Sequence, residues 1–405
     1  MTVGVKGFQG KRLQEARLAR GLFKNALGDM VGVTGQAIAN YEDDKDAPQQ
    51  ERLELLAEKL AFPAEFFLRA PWPEEIGTVH WRSRTSETKS AREMTEQRMR
   101  WLCEIFALLE TEAIFGDVNL PDVGVPEDFR RVTGEAIERI TKQIRECWGL
   151  RDQPIPDMLL ALENIGIPVA TFDIPSDKQD GFCFRSGKLD RPFVGINIEE
   201  ASSVRARLDA GHELAHIVLH KNVTREQTRD PVFHKILETQ AFRFAGALLF
   251  PRDAFIREVG AVSLDYLCAL KKRWGLSIAA MINRAFDLEL IGKERRTALF
   301  REMTMRRWRG VGREPYDDQI PLEKPRMLRR GVEKILGAGL FARSTICSAL
   351  ALPPKEIEAL SGLERGALAS SAPELATIAL RRRPSDIAAL DLESGKILEF
   401  PRRIK

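Results

Sequence analysis

The sequence predicts an α+β protein that is mostly helical, with one small sheet near the middle of the chain. Apolar residues recur at helical spacing through most of the 405 residues. Between residues 168 and 198 the period changes to two, in the runs PVATFDI, DGFCFRS and RPFVGINI. Helical spacing returns at 201–220 and 235–250, so the predicted order is helices, strands and helices.

Residues 8–70 are predicted to form a bundle of short helices at 11–19, 23–31, 36–41 and 51–60. Gly21 ends the first helix, and a turn that begins at Gly32 follows the second. The Thr34 hydroxyl can accept a backbone N–H at the start of the third helix, which would make Thr34 its N-cap. Residues 71–90 read as a linker.

The rest of the chain divides into three predicted regions. Residues 91–150 form a helical connector, with a strong amphipathic helix at 90–115 and a further helix at 135–148. Residues 151–295 begin with a helix at 156–165 and contain the strands. Residues 296–405 are predicted to be helical, with basic stretches at 295–313 and 326–334, and no chemistry can be assigned to them.

Composition limits the class of protein. The chain is 44% hydrophobic and 30% charged, which is typical of soluble globular proteins. It has no apolar run of the roughly 18–20 residues that a membrane span needs, and its N-terminus lacks a secretory signal. The five cysteines are scattered without a CxxC pair, which favours reduced thiols and a cytoplasmic location. A net charge of +3 is too close to zero to indicate nucleic-acid binding by the whole chain, so any DNA contact must come from the local arrangement of charged residues.

The stretch GHELAHIVLH places His212 and His216 four residues apart, with Glu213 between them. Such positions share one face of a helix, with Cβ atoms about 5–6 Å apart, so the two imidazoles can bind one Zn²⁺. Glu213 turns toward the edge of the site, where it can hold a water molecule and take its proton. H-E-x-x-H is therefore a metalloprotease signature. The alternative is a pair of partly buried structural histidines.

A catalytic zinc takes three protein ligands and leaves a fourth position open. Glu238 is the candidate third ligand, because apolar residues at i+3, i+4 and i+7 place its carboxylate on an apolar stripe. A lone charge there is costly unless it is paired or bound to a metal. The alternative is a solvated glutamate at a helix start, favoured by the helix dipole. His220 lies eight residues after His212 on the same helix. We expect it to support a metal ligand by a hydrogen bond or to serve in packing.

Three other features leave their roles open. His234 precedes the helix of Glu238 and can approach the cleft, whereas His80 in the linker reads as solvent-exposed. The strand RPFVGIN either offers an edge to which a peptide substrate can add as a strand or lies inside the sheet.

Residues 140–290 resemble the ImmA/IrrE family of zinc metallopeptidases. The resemblance is carried by RECWGLRDQPIPDMLLALENIGIPV, DGFCF, RARLDAGHELAHIVLH, LETQAFRFAGALLFP and LKKRWGLSIAAMINRAFDLELI. It implies a zincin-like domain with a small sheet packed on helices, zinc held by His212, His216 and Glu238, and Glu213 as general base. Phe242 is a departure, since many members carry Asn or Asp there. The family's known targets are helix-turn-helix repressors, cleaved to release stress-response or mobile-element genes.

Residues 8–68 resemble the phage-repressor-like (XRE) helix-turn-helix family, through RLQEARLARGLFKNALGDMVGVTGQAIANYEDDKDAP. The resemblance implies a recognition helix at 34–41 that enters the major groove of double-stranded operator DNA. Gln36 is expected to read a base, Asn40 a base or a phosphate, and the two lysines phosphates. The full set of expected DNA contacts is Lys24, Thr34, Gln36, Ala37, Asn40 and Lys45.

The charge of this N-terminal segment departs from expectation. Residues 1–70 contain ten Lys/Arg and ten Asp/Glu, and the recognition helix has no basic residue. We therefore expect weak or dimer-dependent DNA binding, and a homodimer because such modules commonly read paired half-sites. The alternative is a bundle that has lost DNA binding.

Together the two resemblances indicate a DNA-binding regulator with a zinc-dependent endopeptidase domain. Its substrate would be a peptide bond in a partner regulator, or in this chain itself, where the linker at 71–90 is a plausible place for a cut. The response would concern stress, mobile elements or phage defence. The alternative is a non-proteolytic transcription factor whose peptidase-like domain senses a small effector such as an acyl metabolite.

Overall fold

The computed structural model describes residues 4–73, 77–81, 89–172, 181–197, 203–309 and 313–369. The N-terminal part consists of α1 (Gly10–Ala19), α2 (Lys24–Val31), α3 (Gly35–Glu42) and α4 (Gln50–Leu60), followed by a 3₁₀ turn at Ala64–Leu68. Each helix confirms its predicted counterpart to within one residue at either end. Gly21 and Gly32 have φ angles of 66° and 69°, a conformation that glycine adopts without strain.

The sheet has four strands, β1 (His80–Trp81), β2 (Val169–Phe172), β3 (Gly181–Ser186) and β4 (Arg191–Asn197), in the order β1-β3-β4-β2. β3 runs antiparallel to both of its neighbours, whereas β2 and β4 are parallel. The strand RPFVGIN is β4, which lies inside the sheet and offers no edge. β1 belongs to the predicted linker, where sequence periodicity gave no sign of a strand, and it pairs with the outer edge of β3.

The remaining helices follow in chain order. They are α5 (Lys89–Glu110), α6 (Gly134–Cys147), α7 (Met158–Asn164), α8 (Ser203–Leu219), α9 (Arg225–Arg229), α10 (Pro231–Leu249), α11 (Arg252–Glu258), α12 (Leu264–Trp274), α13 (Ile278–Asp287), α14 (Lys293–Met305), α15 (Met327–Gly337), α16 (Arg343–Leu350) and α17 (Pro354–Ser361). None of the helices in the described part of the chain has the length and apolarity needed to cross a bilayer.

Each face of the sheet packs against its own hydrophobic core. On one face, Cys183 and Val194 join α6, α7, α8 and the helices that follow α10. On the other face, Phe184 and Phe193 join the N-terminal helices, α5 and α15–α17. Phe106 of α5 packs edge to face on Phe193, with ring centroids 5.5 Å apart. The core of the N-terminal bundle therefore continues through α5 to the sheet. The domain boundaries predicted from the sequence remain predictions.

A buried ion cluster fixes α1 against α5. Arg12 donates two hydrogen bonds to the Glu104 carboxylate, at 2.8 and 3.0 Å, and a third to Glu15 at 2.8 Å. Its guanidinium also donates to the backbone carbonyls of Arg69 and Ala70. The Arg12 side chain is fully buried and that of Glu104 is 3% exposed. Because two buried charges satisfy each other here, the relative position of the two helices is strongly specified.

Carboxylates attach the C-terminal helices to the rest of the chain. Glu163, at the end of α7, accepts the backbone N–H groups of Arg326 and Met327 at the start of α15. Burial raises the pKa of Glu163 to about 7, against the lowering effect of these backbone hydrogen bonds. Conversely, Glu323 accepts the backbone N–H groups of Met158 and Leu159 at the start of α7. These contacts satisfy helix N-termini that would otherwise lack partners.

Substitution Glu104→Ala tests the α1–α5 cluster. We expect the free energy of unfolding to fall by about 3–5 kcal/mol, because the buried Arg12 charge loses its bidentate partner. Urea unfolding followed by circular dichroism measures the change. The control is Glu93→Ala in the same helix, where the glutamate forms a surface pair with Lys89, and a change below about 0.5 kcal/mol is expected. Equal losses in the two variants would contradict this role for the cluster.

Candidate metal centre

The first half of the candidate metal centre is α8, which lies between the sheet and α10. Gly211 stands where α8 and α10 cross, and a Cβ atom at this position would meet the Ala245 Cβ at 3.3 Å and its Cα at 3.4 Å. Glycine therefore permits the two helices to approach closely. α10 begins where the Asp230 side chain accepts the backbone N–H groups of Val232 and Phe233, with Pro231 in the first turn.

This approach brings His212, His216 and Glu238 together. The two Nε2 atoms lie 3.1 Å apart, and the Glu238 carboxylate oxygens lie 3.3 Å from that of His212 and 3.4 Å from that of His216. All three side chains are largely buried, at 1%, 2% and 15% exposure. Burial alone would raise the pKa of Glu238, but its contacts with the two histidines hold the pKa below the ordinary value.

The three side chains fit the requirements of a zinc ion. Donors placed about 2.0–2.1 Å from a tetrahedral zinc are separated from one another by about 3.3–3.4 Å. The two Nε2 atoms are 3.1 Å apart, and each lies 3.3–3.4 Å from a different oxygen of the Glu238 carboxylate, which is close to that spacing. Two imidazoles and one carboxylate are also a donor set that catalytic zinc uses. Among the described residues, these three form the group suited to holding a metal.

Glu213 lies between the helix and the start of β3. Its side chain is buried, and a Cβ atom on Gly181 would come within 3.2 Å of its Oε1, so the glycine leaves room for the carboxylate. The Cys183 thiol donates a hydrogen bond to Glu213. Burial, and secondarily the charge of Glu213, raises the pKa of Cys183 well above the ordinary value, so the thiol keeps its proton. Cys183 thus restrains the carboxylate of the candidate general base, a contact that was not predicted from the sequence.

A chain of hydrogen bonds fixes the ring orientation of His216. The Gln240 side-chain nitrogen donates to the carbonyls of Phe129 and Val132, at 2.8 and 2.9 Å, which turns the amide oxygen toward His220. That oxygen lies 3.0 Å from the His220 Nε2 and can only accept, so this nitrogen carries a hydrogen. We name Gln240, His220 and His216 the histidine relay.

The relay determines which nitrogen of His216 faces the metal position. Burial, followed by the nearby His216, lowers the pKa of His220 well below the ordinary value, so its ring is neutral and its Nδ1 is an acceptor. The His216 Nδ1 lies 2.8 Å from that atom and therefore donates its hydrogen. When a metal is bound, the Nε2 of His216 would therefore be the nitrogen without a hydrogen, and its lone pair would face the metal position. This agrees with the supporting role that the sequence reading gave to His220.

Two cavities meet at His216. The first, which we name the metal cleft, has a volume of about 270 Å³ and also contacts Glu238 and His234. His234 therefore does approach the cleft, as its position in the sequence allowed. The second, the rear cavity, has a volume of about 370 Å³ and is lined in part by Phe184, Pro192 and Ile217.

The predicted linker passes beside both cavities. Gly77 and Thr78 line the rear cavity, and Val79 lines the metal cleft. Arg225 donates a hydrogen bond to the Gly77 carbonyl at 3.2 Å. The His80 backbone pairs with β3, but its side chain lies outside the described residues, so its predicted exposure stays a prediction.

Phe242 occupies the position at which the sequence departs from the resembling family. Its ring lies against His212, with ring centroids 4.4 Å apart and an interplanar angle of 59°. Phe242 therefore restricts the His212 ring by packing, whereas Asn or Asp would have provided a polar contact.

The expected DNA contacts lie on and around α3. The Thr34 side chain accepts the Ala37 backbone N–H at 3.1 Å, which confirms Thr34 as the N-cap. Gln36 donates to Asn40 at 3.1 Å. Both lysines have acidic partners, since Lys24 lies 3.3 Å from Glu42 and Lys45 lies 2.7 Å from Asp43. These pairs reduce the local positive potential, and the contacts to DNA stay predictions.

Substitution His220→Leu tests the histidine relay. We expect zinc affinity to fall by about 10–100-fold, because the His216 Nδ1 loses its acceptor and the ring its fixed orientation. Competition against a chromogenic chelator measures the affinity, and a thermal melt checks the fold. The control is His234→Leu, which alters a histidine of the same cleft outside the relay and should leave zinc affinity unchanged. Unchanged zinc affinity in His220→Leu would contradict the role of the histidine relay in orienting His216.

Two segments of the chain match known protein families. Residues 13–67 match the helix-turn-helix family HTH_3, and residues 162–286 match the IrrE N-terminal-like domain of the Peptidase_M78 family. An HTH-type transcriptional regulator of Rickettsia conorii is 32% identical over 82 residues, which cover 19% of this chain and 66% of that protein. The chain therefore joins an N-terminal helix-turn-helix domain to an IrrE-like peptidase domain.

Proposed function

We propose that the chain is a DNA-binding transcription regulator whose IrrE-like domain is a zinc-dependent endopeptidase acting on a partner regulator. The observation that carries this proposal is the cluster of His212, His216 and Glu238, with the buried Glu213 next to His212 in α8. The match of residues 162–286 to the Peptidase_M78 family supports the same chemistry.

In this proposal the two Nε2 atoms and the Glu238 carboxylate hold the zinc. His216 presents its lone pair because the histidine relay fixes its ring, and Phe242 packs on the ring of His212. Bound zinc supplies a Lewis acid that polarises a peptide carbonyl and lowers the pKa of a water molecule toward about 7.

Glu213 acts as the proton carrier. Its carboxylate takes a proton from the attacking water, whose oxygen forms a bond to the peptide carbonyl carbon. When the C–N bond breaks, the same side chain passes the proton to the leaving amine nitrogen. Burial and the hydrogen bond from Cys183 keep the carboxylate in one position between β3 and α8 during this transfer.

The helix-turn-helix domain places the peptidase at operator DNA in this proposal. α3 is the recognition helix, with Gln36 exposed in its first turn and Asn40 half-buried one turn later. Lys24 and Lys45 contact phosphates only after exchanging their acidic partners, which favours weak binding by one copy and stronger binding by a homodimer. The substrate is a helix-turn-helix repressor, or the linker of this chain, of which residues 77–79 line the two cavities.

One observation favours a second function, that of a sensor without proteolysis. The rear cavity, at about 370 Å³, falls within the range of roughly 300–1,000 Å³ typical of small-molecule sites. Phe184, Pro192 and Ile217 give it an apolar lining suited to an acyl chain. A ligand there would contact His216 and the linker and could alter DNA binding without any cleavage.

Substitution Glu213→Gln tests the proteolytic function. Zinc content should stay unchanged, and cleavage should fall by at least about 100-fold, because an amide cannot take the proton. The assay incubates the zinc-loaded chain with a candidate helix-turn-helix repressor chosen from neighbouring genes, with and without operator DNA. Glu226→Gln, which alters an exposed glutamate of α9, is the control and should cleave normally. Cleavage that survives Glu213→Gln contradicts the mechanism. Operator binding that responds to an acyl metabolite without cleavage supports the sensor instead.

A further inference from the structure

The metal cleft has an unusual charge for a site built around a cation. Among the residues that the structure describes, three arginines line it, Arg92 from α5 and both Arg225 and Arg229 from α9. The carboxylates among the same residues are Glu96 and the candidate ligand Glu238. We propose that the cleft selects peptides carrying an acidic side chain beside the cleaved bond, an inference that rests on the proposed peptidase function.

The balance of charge in the cleft favours an anion. Glu238 directs its oxygens at His212 and His216, so its charge is shared with the metal position. Glu96 is then the other carboxylate among the described lining residues, and it interacts electrostatically with Arg92 and Arg225. Bound zinc would add further positive charge to the cleft. Charges gathered in a concave site with low-dielectric walls concentrate the electrostatic potential and raise the local concentration of an oppositely charged group.

The arginines differ in their surroundings. Arg225 donates to the Gly77 carbonyl, which fixes the linker at the rim of the cleft. Arg92 precedes Glu96 by one helical turn on α5, so the two side chains share a face. Arg229 is the last residue of α9 and is exposed to solvent. Arg229 is therefore the best placed to contact a substrate carboxylate, with Arg92 as the second contact from across the cleft.

The size of the cleft favours a peptide side chain over a whole coenzyme. Its volume of about 270 Å³ is below the roughly 300–1,000 Å³ of sites that enclose drug-sized ligands. One or two amino-acid residues fit such a space. Arginine also pairs with a carboxylate through two parallel hydrogen bonds, which gives geometric selection as well as attraction.

The test uses the full zinc-loaded chain and three tripeptide hydroxamates that differ in one side chain, namely Glu, Gln or Lys, next to the hydroxamate. The hydroxamate binds zinc, and the side chain samples the cleft. Isothermal titration calorimetry at constant ionic strength measures each affinity. We expect the Glu probe to bind about fivefold more tightly than the Gln probe, and the Lys probe more weakly than either. Because the side-chain contact is ionic, the difference should shrink as salt is added.

Two variants locate the effect. Arg229→Gln should remove most of the preference for the Glu probe and leave the affinity of the Gln probe unchanged. Arg92→Gln should reduce the preference to a smaller extent. The control is Arg252→Gln, which alters an exposed arginine of α11 outside the metal cleft and should retain the full preference. A thermal melt of each variant checks that the fold is intact.

The possible failures can be told apart. If all three probes bind the zinc-loaded chain equally, the preference for acidic peptides is wrong while the metal centre stands. If none binds, the zinc centre of the proposed function fails, and the cleft preference fails with it. Inorganic pyrophosphate is the competing anion. Displacement of the Gln probe by pyrophosphate that depends on Arg229, without any preference for the Glu probe, would overturn the proposal in favour of a phosphate-binding cleft.

Discussion

The close approach of α8 and α10 is the constraint on which the candidate site depends. Gly211 leaves no Cβ atom between the helices, and Ala245 is the small residue opposite. A larger side chain at either position would separate α10 from α8 and withdraw Glu238 from the two histidines. The same packing brings Gln240 to His220. Glu238, the third candidate ligand, and Gln240, which supports His216 through His220, therefore both come from α10. The positions of the metal donors are thus a consequence of backbone packing.

The sheet and α5 connect this site to the N-terminal helices. One face of the sheet packs on α8, which carries two of the candidate metal donors, and the other packs on the core that also contains α1, α5 and α17. The Arg12–Glu104 ion pair joins α1 of the N-terminal bundle to α5. Arg92, which also belongs to α5, lines the metal cleft. The N-terminal helices and the cleft are therefore connected through elements that pack directly on one another.

Local sequence predicted what local interactions decide. The helices of the N-terminal bundle follow from apolar spacing, the Thr34 cap and the glycines that end α1 and α2, while the period of two gave three of the four strands. The two-residue strand β1 was missed because so short a segment has no period. The roles of Cys183 and Gln240 also escaped prediction. Their contacts join elements that are distant in the chain, and nothing in the neighbouring sequence specifies them.

We propose that zinc is held by two imidazoles and one carboxylate. X-ray absorption at the zinc K-edge of the zinc-loaded chain tests this directly. We expect nitrogen and oxygen scatterers alone at about 2.0–2.1 Å, with the multiple scattering that two imidazole rings produce. In Glu238→Ala the count of these neighbours should change while the imidazole signal persists. A sulfur scatterer at about 2.3 Å would place Cys183 or another thiol on the metal and contradict the account.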